Sequence, residues 1–329
     1  MSFSDITSQF ADLKSLVIGD IMLDTHYRGS TNRISPEAPV PVLAIEHIEH
    51  KAGGAGNVAS NLMALGSSVS LHAVWGSDAH SQTLKTILEQ QGISSQNIYT
   101  SIHRKTTQKI RLLNGNTHLL RCDLEDTFDL NAEESSGFLK NLQNDWDHFH
   151  PDLIFLQDYD KGVCTPEIIQ YSIQRANLEG IPVVVDPKKN HFFHYRNCTL
   201  FKPNFKEVCE ALEIDSGIEK SMQNLTHLSS KLLQTLPCKN LLITLSEKGI
   251  FFSNASLESG TLPAFKRNII DVSGAGDTVL AVAGLCLALD KSLAEVAWYA
   301  NLAGGLACEY SGVQALDAAA FSKAIRDCA

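Results

Sequence analysis

The sequence predicts an α/β fold: a mostly parallel central sheet covered by helices on both faces, with a small antiparallel sheet standing off it. Three observations carry the prediction. Short apolar runs alternate with segments of helical length along most of the chain, which is how a parallel sheet with helical crossovers reads. Asp20, Asp158 and Asp186 each follow such a run, on the rim beyond the strand C-termini where these sheets bind ligands. Asn114-Gly115 stands between two extended stretches, a hairpin signal foreign to a parallel sheet.

Taken in order, residues 15–19 form the first buried strand, and 69–75, 153–156, 182–185 and 241–245 supply others. Helical segments at 57–65, 84–91, 167–176 and 207–212 lie between them. The run 279–289 has almost no polar side chain; it is too short to cross a membrane and reads as a buried helix. Two stretches break the alternation. Residues 40–45 follow a Pro-rich approach and are extended, and 108–113 with 117–121 make a hairpin about Asn114-Gly115-Asn116. Segments of about 25–48 and 106–123 are therefore expected to form a lid on one domain that fills 1–329. There is no internal repeat, linker or low-complexity segment.

The composition, 44% hydrophobic and 19% charged, is that of an ordinary globular protein. A net charge of −10 without a long basic run argues against general binding to nucleic acid or anionic membrane. The eight cysteines are scattered without a C-x-x-C pair, and read as reduced thiols rather than as zinc ligands or disulfides. The N-terminus lacks a basic region followed by an apolar core, so a cytoplasmic protein is expected.

The chemistry concentrates at DVSGAGDT, residues 271–278. Gly274, Ala275 and Gly276 open a helix, and first-turn N–H groups without internal partners form an anion site. Asp277 beside such a cradle is not suited to hold phosphate. It is suited to take a proton from a hydroxyl while the amides stabilise a phosphoryl group in transfer. The alternative is a Gly-rich turn with Asp277 as a first-turn acid. At 51–59, KAGGAGNVA opens a second helix; the spacing from the first strand is wrong for a dinucleotide fingerprint.

These motifs resemble those of the ribokinase-like (PfkB) carbohydrate kinases: D-T-x-G-A-G-D near the C-terminus and G-G-x-x-x-N-x-A near the N-terminus. The resemblance implies a three-layer α/β/α fold with a β lid over the sugar. It makes Asp277 the catalytic base and Gly274, Ala275 and Gly276 the anion hole. Gly53, Gly54 and Asn57 bind the sugar, and so does Asp24, with Asp20 possible beside it; either Asp is otherwise a loop-capping carboxylate. In Asn204-Phe205-Lys206-Glu207 the family's N-x-x-E places Asn204 by the phosphates of ATP and Glu207 on Mg²⁺ through water, although the same residues make a normal helix start. Thr244, Ser246 and Gly249 resemble the T-x-G-x-x-G nucleotide loop with Ser246 in place of a Gly. Asn301 matches an adenine-pocket position, and Asp271 and Ser273 could offer oxygens to a monovalent cation such as K⁺.

A narrower resemblance rests on RISPEAPVPV at 33–42, DYDKG at 158–162 and DPK at 186–188. These are similar to the D-glycero-D-manno-heptose 7-phosphate kinase branch, which supplies ADP-heptose for lipopolysaccharide. The H-x-G-H motif of bifunctional members is absent, so the chain resembles the single-domain form. Departures are Lys189-Asn190, where a Gly usually follows, and Ser311-Gly312-Val313, where G-T is usual. Arg33, Lys109, Arg111, Arg121 and Lys161 lie in lid or rim segments, where they either meet a sugar phosphate, with Arg111 and Lys161 foremost, or keep lid edges soluble. The expected partners are ATP, a sugar phosphate and a second copy pairing through the lid. A kinase of another sugar or nucleoside, or a non-catalytic binding module, are the competing readings.

Overall fold

The computed structural model describes residues 4–115, 117–256 and 258–328. Strand β1 (Lys14–Gly19) leads into the long β2 (Ile21–Ile34), which pairs back on β3 (Pro41–Gly54) before helix α1 (Ala55–Ala64). β4 (Ser68–His72), β5 (Val74–Gly76), α2 (Ala79–Gln90) and β6 (Tyr99–Ser101) follow, then β7 (Gln108–Asn114) and β8 (Thr117–Leu124). Next come α3 (Ala132–Phe149), β9 (Leu153–Gln157), α4 (Pro166–Glu179), β10 (Val183–Asp186), β11 (Leu200–Phe201), α5 (Phe205–Ala211) and α6 (Met222–Thr235). The chain closes with β12 (Asn240–Thr244), β13 (Ile250–Asn254), β14 (Ser259–Leu262), α7 (Ala275–Ala288), α8 (Leu293–Ala307) and α9 (Ala318–Cys328).

The main sheet has the order β14-β13-β12-β11-β10-β9-β1-β4. It is parallel from β12 to β4, with β13 and β14 added antiparallel at one edge. Its strands are buried on both faces. Leu16, Ile18, Ile154, Leu156, Val183 and Val185 face the core under α3, α4 and α6. Val17, Leu153, Phe155 and Val184 face the core under α1, α7 and α8. Two-sided burial is why these strands read as continuous apolar runs rather than alternating ones. It also accounts for 279–289, because α7 packs against α1, α8 and the sheet and has no wet face. No helix among the described residues is long and apolar enough to cross a membrane.

The predicted strand at 69–75 is interrupted at Ala73, and β5 pairs with β6 instead of extending β4. The second sheet has the order β3-β2-β7-β8. Its outer pairings are antiparallel, and β2 runs parallel to β7 from Leu23↔Gln108 to Gly29↔Asn114. Asn116 of the predicted hairpin turn lies outside the described residues. β2 and β3 are each 14 residues long, far beyond the extended stretch that the sequence marks at 40–45. Much of β2 is polar on both sides, so neither an apolar run nor an alternation announces it.

The parallel strands end at one rim, delivering Asp20, Gln157, Asp186, Lys202 and Thr244 to it. The N-termini of α1 and α7 reach the same rim, and the second sheet rises beside it. The motifs at 51–59, 158–162, 186–188, 204–207 and 271–278 collect there, whereas 33–42 lies at the far tip of β2 and β3.

Candidate active site

Asp277 sits in the first turn of α7 and is buried. Its Oδ2 accepts the Asn57 Nδ2–H at 2.7 Å. Its Oδ1 accepts from Gln157 Nε2 at 3.0 Å and from the Tyr159 hydroxyl at 2.9 Å. Burial pushes the carboxyl up to about 6; Asp186 adds to the rise, while the Asn57 and Tyr159 hydrogen bonds and the Lys202 ammonium oppose it. A carboxyl poised there is ionised near neutral pH yet basic enough to take a proton.

The backbone beside it is fixed by glycine. Gly274 caps α7 at φ 78°, and a Cβ there would stand 2.8 Å from Asn57 Nδ2. Gly276 is exposed, and a Cβ on it would meet within 4 Å only Lys202 Nζ at 3.8 Å and Asp186 Oδ2 at 4.0 Å. Lys202 and Asp186 form a buried ion pair at 3.0 Å. Ala275 N donates to Val272 O at 3.3 Å and Asp277 N to Gly274 O at 3.1 Å, so the Gly274 and Gly276 amides are the ones left beside this charged rim, an arrangement that binds anions.

On the other side of Gly276 lies a cavity of about 390 Å³. Thr244, Ser246, Gly249 and Asn301 all line it together with Ala275 and Gly276. Ser246 takes φ 58°, the left-handed conformation that the glycine it replaces adopts freely. Gly249 at φ 93° is required, since a Cβ would fall 2.1 Å from the Leu262 carbonyl oxygen. The Asn301 amide donates to Pro263 O at 2.8 Å and so ties the cavity wall. With apolar walls from Phe265, Val272 and Val279 and one end at the amides, the cavity suits a base and ribose with phosphates at Gly276.

The other predicted residues fall in three groups. Asn57 joins the centre through Asp277, held from behind by Asn61 Nδ2 at 3.2 Å. Gly54 caps α1 at φ 61°, with a Cβ position 2.3 Å from Asp20 O, and Gly53 packs on Met22. Asp24 is buried, paired with Arg111 and 3.3 Å from His26 Nε2.

Asp20 takes the loop-clamping position. Its oxygens accept the backbone amides of Tyr159 at 2.7 Å, Lys161 at 3.0 Å and Val163 at 3.1 Å. Lys161 meets Glu125 at 2.9 Å.

Asn204 and Glu207 form a reciprocal capping box at the start of α5, and Glu207 also pairs with Lys188. Asp271 accepts Ser273 N and Gly312 N, each at 2.9 Å. Burial opposes ionisation of Asp271, but those two amides outweigh it and hold the carboxyl below its usual range. No cluster of three or more His, Cys, Asp or Glu able to hold a metal occurs among the described residues.

Sequence reasoning singled out neither Gln157 nor Lys202, and it read Tyr159 only as part of DYDKG. Gln157 is the last residue of β9, and Tyr159 and Lys202 stand two residues and one residue beyond a strand C-terminus, which is the signal that could have found them.

The pfkB family carbohydrate kinase model matches residues 12–319. The chain is 39% identical over 296 residues to the bifunctional protein HldE of Citrifermentans bemidjiense, covering 90% of this chain and 60% of that protein. It is 39% identical over 313 residues to the bifunctional protein HldE of Geobacter metallireducens, covering 93% and 62%. The chain therefore spans a little over half the length of these curated relatives. Among solved structures it is similar to phosphofructokinase-2 of Escherichia coli in complex with potassium (TM-score 0.77, 18% identity, 96% of this chain and 98% of that one). It is also similar to Arabidopsis thaliana ribokinase complexed with ribose and ATP (TM-score 0.73, 15% identity, 95% and 99%). At those identities the likeness speaks for the fold alone. Fold, motifs and family model agree, and the chain belongs to the pfkB family of carbohydrate kinases, ATP-dependent enzymes that phosphorylate sugars.

Proposed function

We propose that the chain transfers the γ-phosphoryl group of ATP to the anomeric O1 of D-glycero-D-manno-heptose 7-phosphate, giving the 1,7-bisphosphate on the route to ADP-heptose. The observation that carries the catalytic reading is Asp277: a buried carboxyl raised to about 6, next in the chain to Ala275 and Gly276, which line the 390 Å³ cavity. As the sugar oxygen bonds to phosphorus, its proton passes to Asp277, the bond to the β-phosphate oxygen breaks, and ADP leaves. The Gly274 and Gly276 amides would hold the charge on the phosphoryl oxygens, joined by Ala275 N if it gives up its bond to Val272 O.

Glu207 and Asp186 are hard oxygen donors on this rim and fit Mg²⁺ held through its waters. When bound, that ion neutralises triphosphate charge. Asp271, kept anionic by its two amides, suits a monovalent cation beside the phosphate loop, testable as K⁺ activation of turnover.

The sugar-phosphate reading rests on the resemblance and on one cation. Arg111 and Lys161 are paired with Asp24 and Glu125. Lys109 is half-buried, lies with its Nζ 5.7 Å from the Tyr159 ring centroid, and has no ion pair among the described residues. Burial holds its ammonium below its ordinary pKa against the pull of Asp123 and Glu125, and a dianionic phosphate would stabilise its charged form. The competing reading, a kinase of another sugar phosphate, uses the same lysine.

The lid face opposite Asp24 carries Ile45, Ile48 and Leu120, all exposed. We read this apolar face as the seat of a homodimer. The test of substrate is ATP consumption with Mg²⁺ across phosphorylated and unphosphorylated sugars. Activity on heptose 7-phosphate supports the proposal; activity only on ribose or fructose rejects it.

A further inference from the structure

We propose that the Tyr159 hydroxyl is an internal stand-in for the acceptor sugar hydroxyl, occupying the base Asp277 until a sugar displaces it and thereby restraining transfer of phosphate to water. The inference rests on the reading of Asp277 as base.

Three donors hold Asp277, and they are not equivalent. Asn57 lies inside α1 with its own oxygen held by Asn61. Gln157 closes β9 and is buried, with a second contact to Asp186 at 3.4 Å. Both are buried and closely packed, with little room for either side chain to leave the carboxylate. Tyr159 is carried by the loop beyond β9 and is half-buried. Its ring contacts two flexible side chains, Lys109 at 5.7 Å and Lys188 at 5.4 Å from the ring centroid. The loop itself stays anchored, because Asp20 grips the Tyr159, Lys161 and Val163 amides. The side chain can therefore swing while the backbone remains in place.

The chemistry of the contact matches that of the reaction. Tyr159 presents a C–O–H that donates to Asp277 Oδ1 at 2.9 Å, as an acceptor sugar must before its proton is taken. Burial and the adjacent Asp277 push the phenol well above its ordinary pKa, so it occupies the base without giving up its proton. A water molecule in that place could donate its proton to Asp277, attack the γ-phosphorus and release ADP and phosphate. The phenol excludes that water. The two ammoniums against its ring also give the displaced side chain and an incoming phosphate a shared neighbour in Lys109.

The test is Tyr159→Phe, which keeps the ring and removes the oxygen, measured in three ways. With Mg²⁺-ATP and no sugar, ADP release should rise about tenfold, since one hydrogen bond to a charged group no longer competes with water. The KM for heptose 7-phosphate should fall, because no phenol has to be displaced. The acid limb of kcat/KM should move to higher pH, because the ionised form of Asp277 loses a donor. The other charged groups around it, Asp186, Lys188 and Lys202, are unchanged. An unchanged ADP release with a reduced kcat and an unaltered KM overturns the proposal and leaves Tyr159 as a mere support. Tyr159→Trp, which restores a buried donor on an aromatic ring, should return sugar-free ADP release toward the parent value. Asp277→Asn separates the two ideas: if it still turns over sugar, the base assignment fails whatever Tyr159 does.

Discussion

Replacing Asp277 by Asn should separate catalysis from stability, with a sign that depends on pH. In the folded protein the carboxyl is pushed from 3.8 to about 6, first of all by burial. Folding therefore disfavours the ionised form. That penalty is absent below about pH 4, grows through the interval up to about pH 6, and is complete above it. At about 1.4 kcal/mol per pH unit, the full penalty is about 3 kcal/mol. Asparagine removes it but turns one oxygen into an amide donor. That donor must face Asn57 Nδ2 or the Gln157 and Tyr159 pair, at a cost of about 1–3 kcal/mol. Near pH 8 the two effects should cancel or favour the variant; near pH 4.5 only about 1 kcal/mol of the penalty is present, so the mismatch weighs more. Thermal midpoints at about pH 8 should thus match or exceed the parent's, and the variant should lose about 2 kcal/mol of that advantage by about pH 4.5. Turnover should drop at least about a hundredfold at both. A kcat within about tenfold of the parent would refute the base, and a stability difference that is flat with pH would refute the raised carboxyl.

Three further outcomes follow. Gly274→Ala places a Cβ 2.8 Å from Asn57 Nδ2 at φ 78° and should cost about 1–2 kcal/mol by chemical denaturation, with kcat falling more than the KM for ATP rises. Lys109→Gln should raise the KM for the sugar phosphate about tenfold or more, while a slow unphosphorylated sugar is affected little; equal losses on both would remove Lys109 from phosphate recognition. If the proposed homodimer forms through the exposed apolar lid face, Leu120→Glu should lower the mass measured by light scattering from that of two chains to that of one.

Where the sequence was informative, the reason was local. A strand buried on both faces writes an uninterrupted apolar run, and the residue after it lands on the rim; that made β1, β9 and β10 and their terminal carboxylates readable. Gly274 was readable because few side chains tolerate a left-handed cap at a helix start. β2 was not, since a strand that lines a polar cleft carries charges and hydroxyls where alternation would show. Nor could spacing reveal that Asp20 grips three amides across some 140 positions, or that Arg111 closes on Asp24. Such partners are set by the tertiary approach of elements. Asn204 and Glu207 are the instructive intermediate case: the same four residues spell a capping box and a magnesium motif, and the capping box accounts for the geometry observed.

The twin 14-residue strands β2 and β3 also set a mechanical scale. At about 3.3 Å per residue each is a lever of roughly 45 Å. Asp24 stands three residues from the fulcrum at Ile21, roughly 10 Å out. A rotation of about 10° there would carry the far tip through roughly 8 Å but Asp24 through only about 2 Å. Large sweeps at the tip would thus leave Asp24 almost stationary, so the far end and the site end of the same two strands are geared separately.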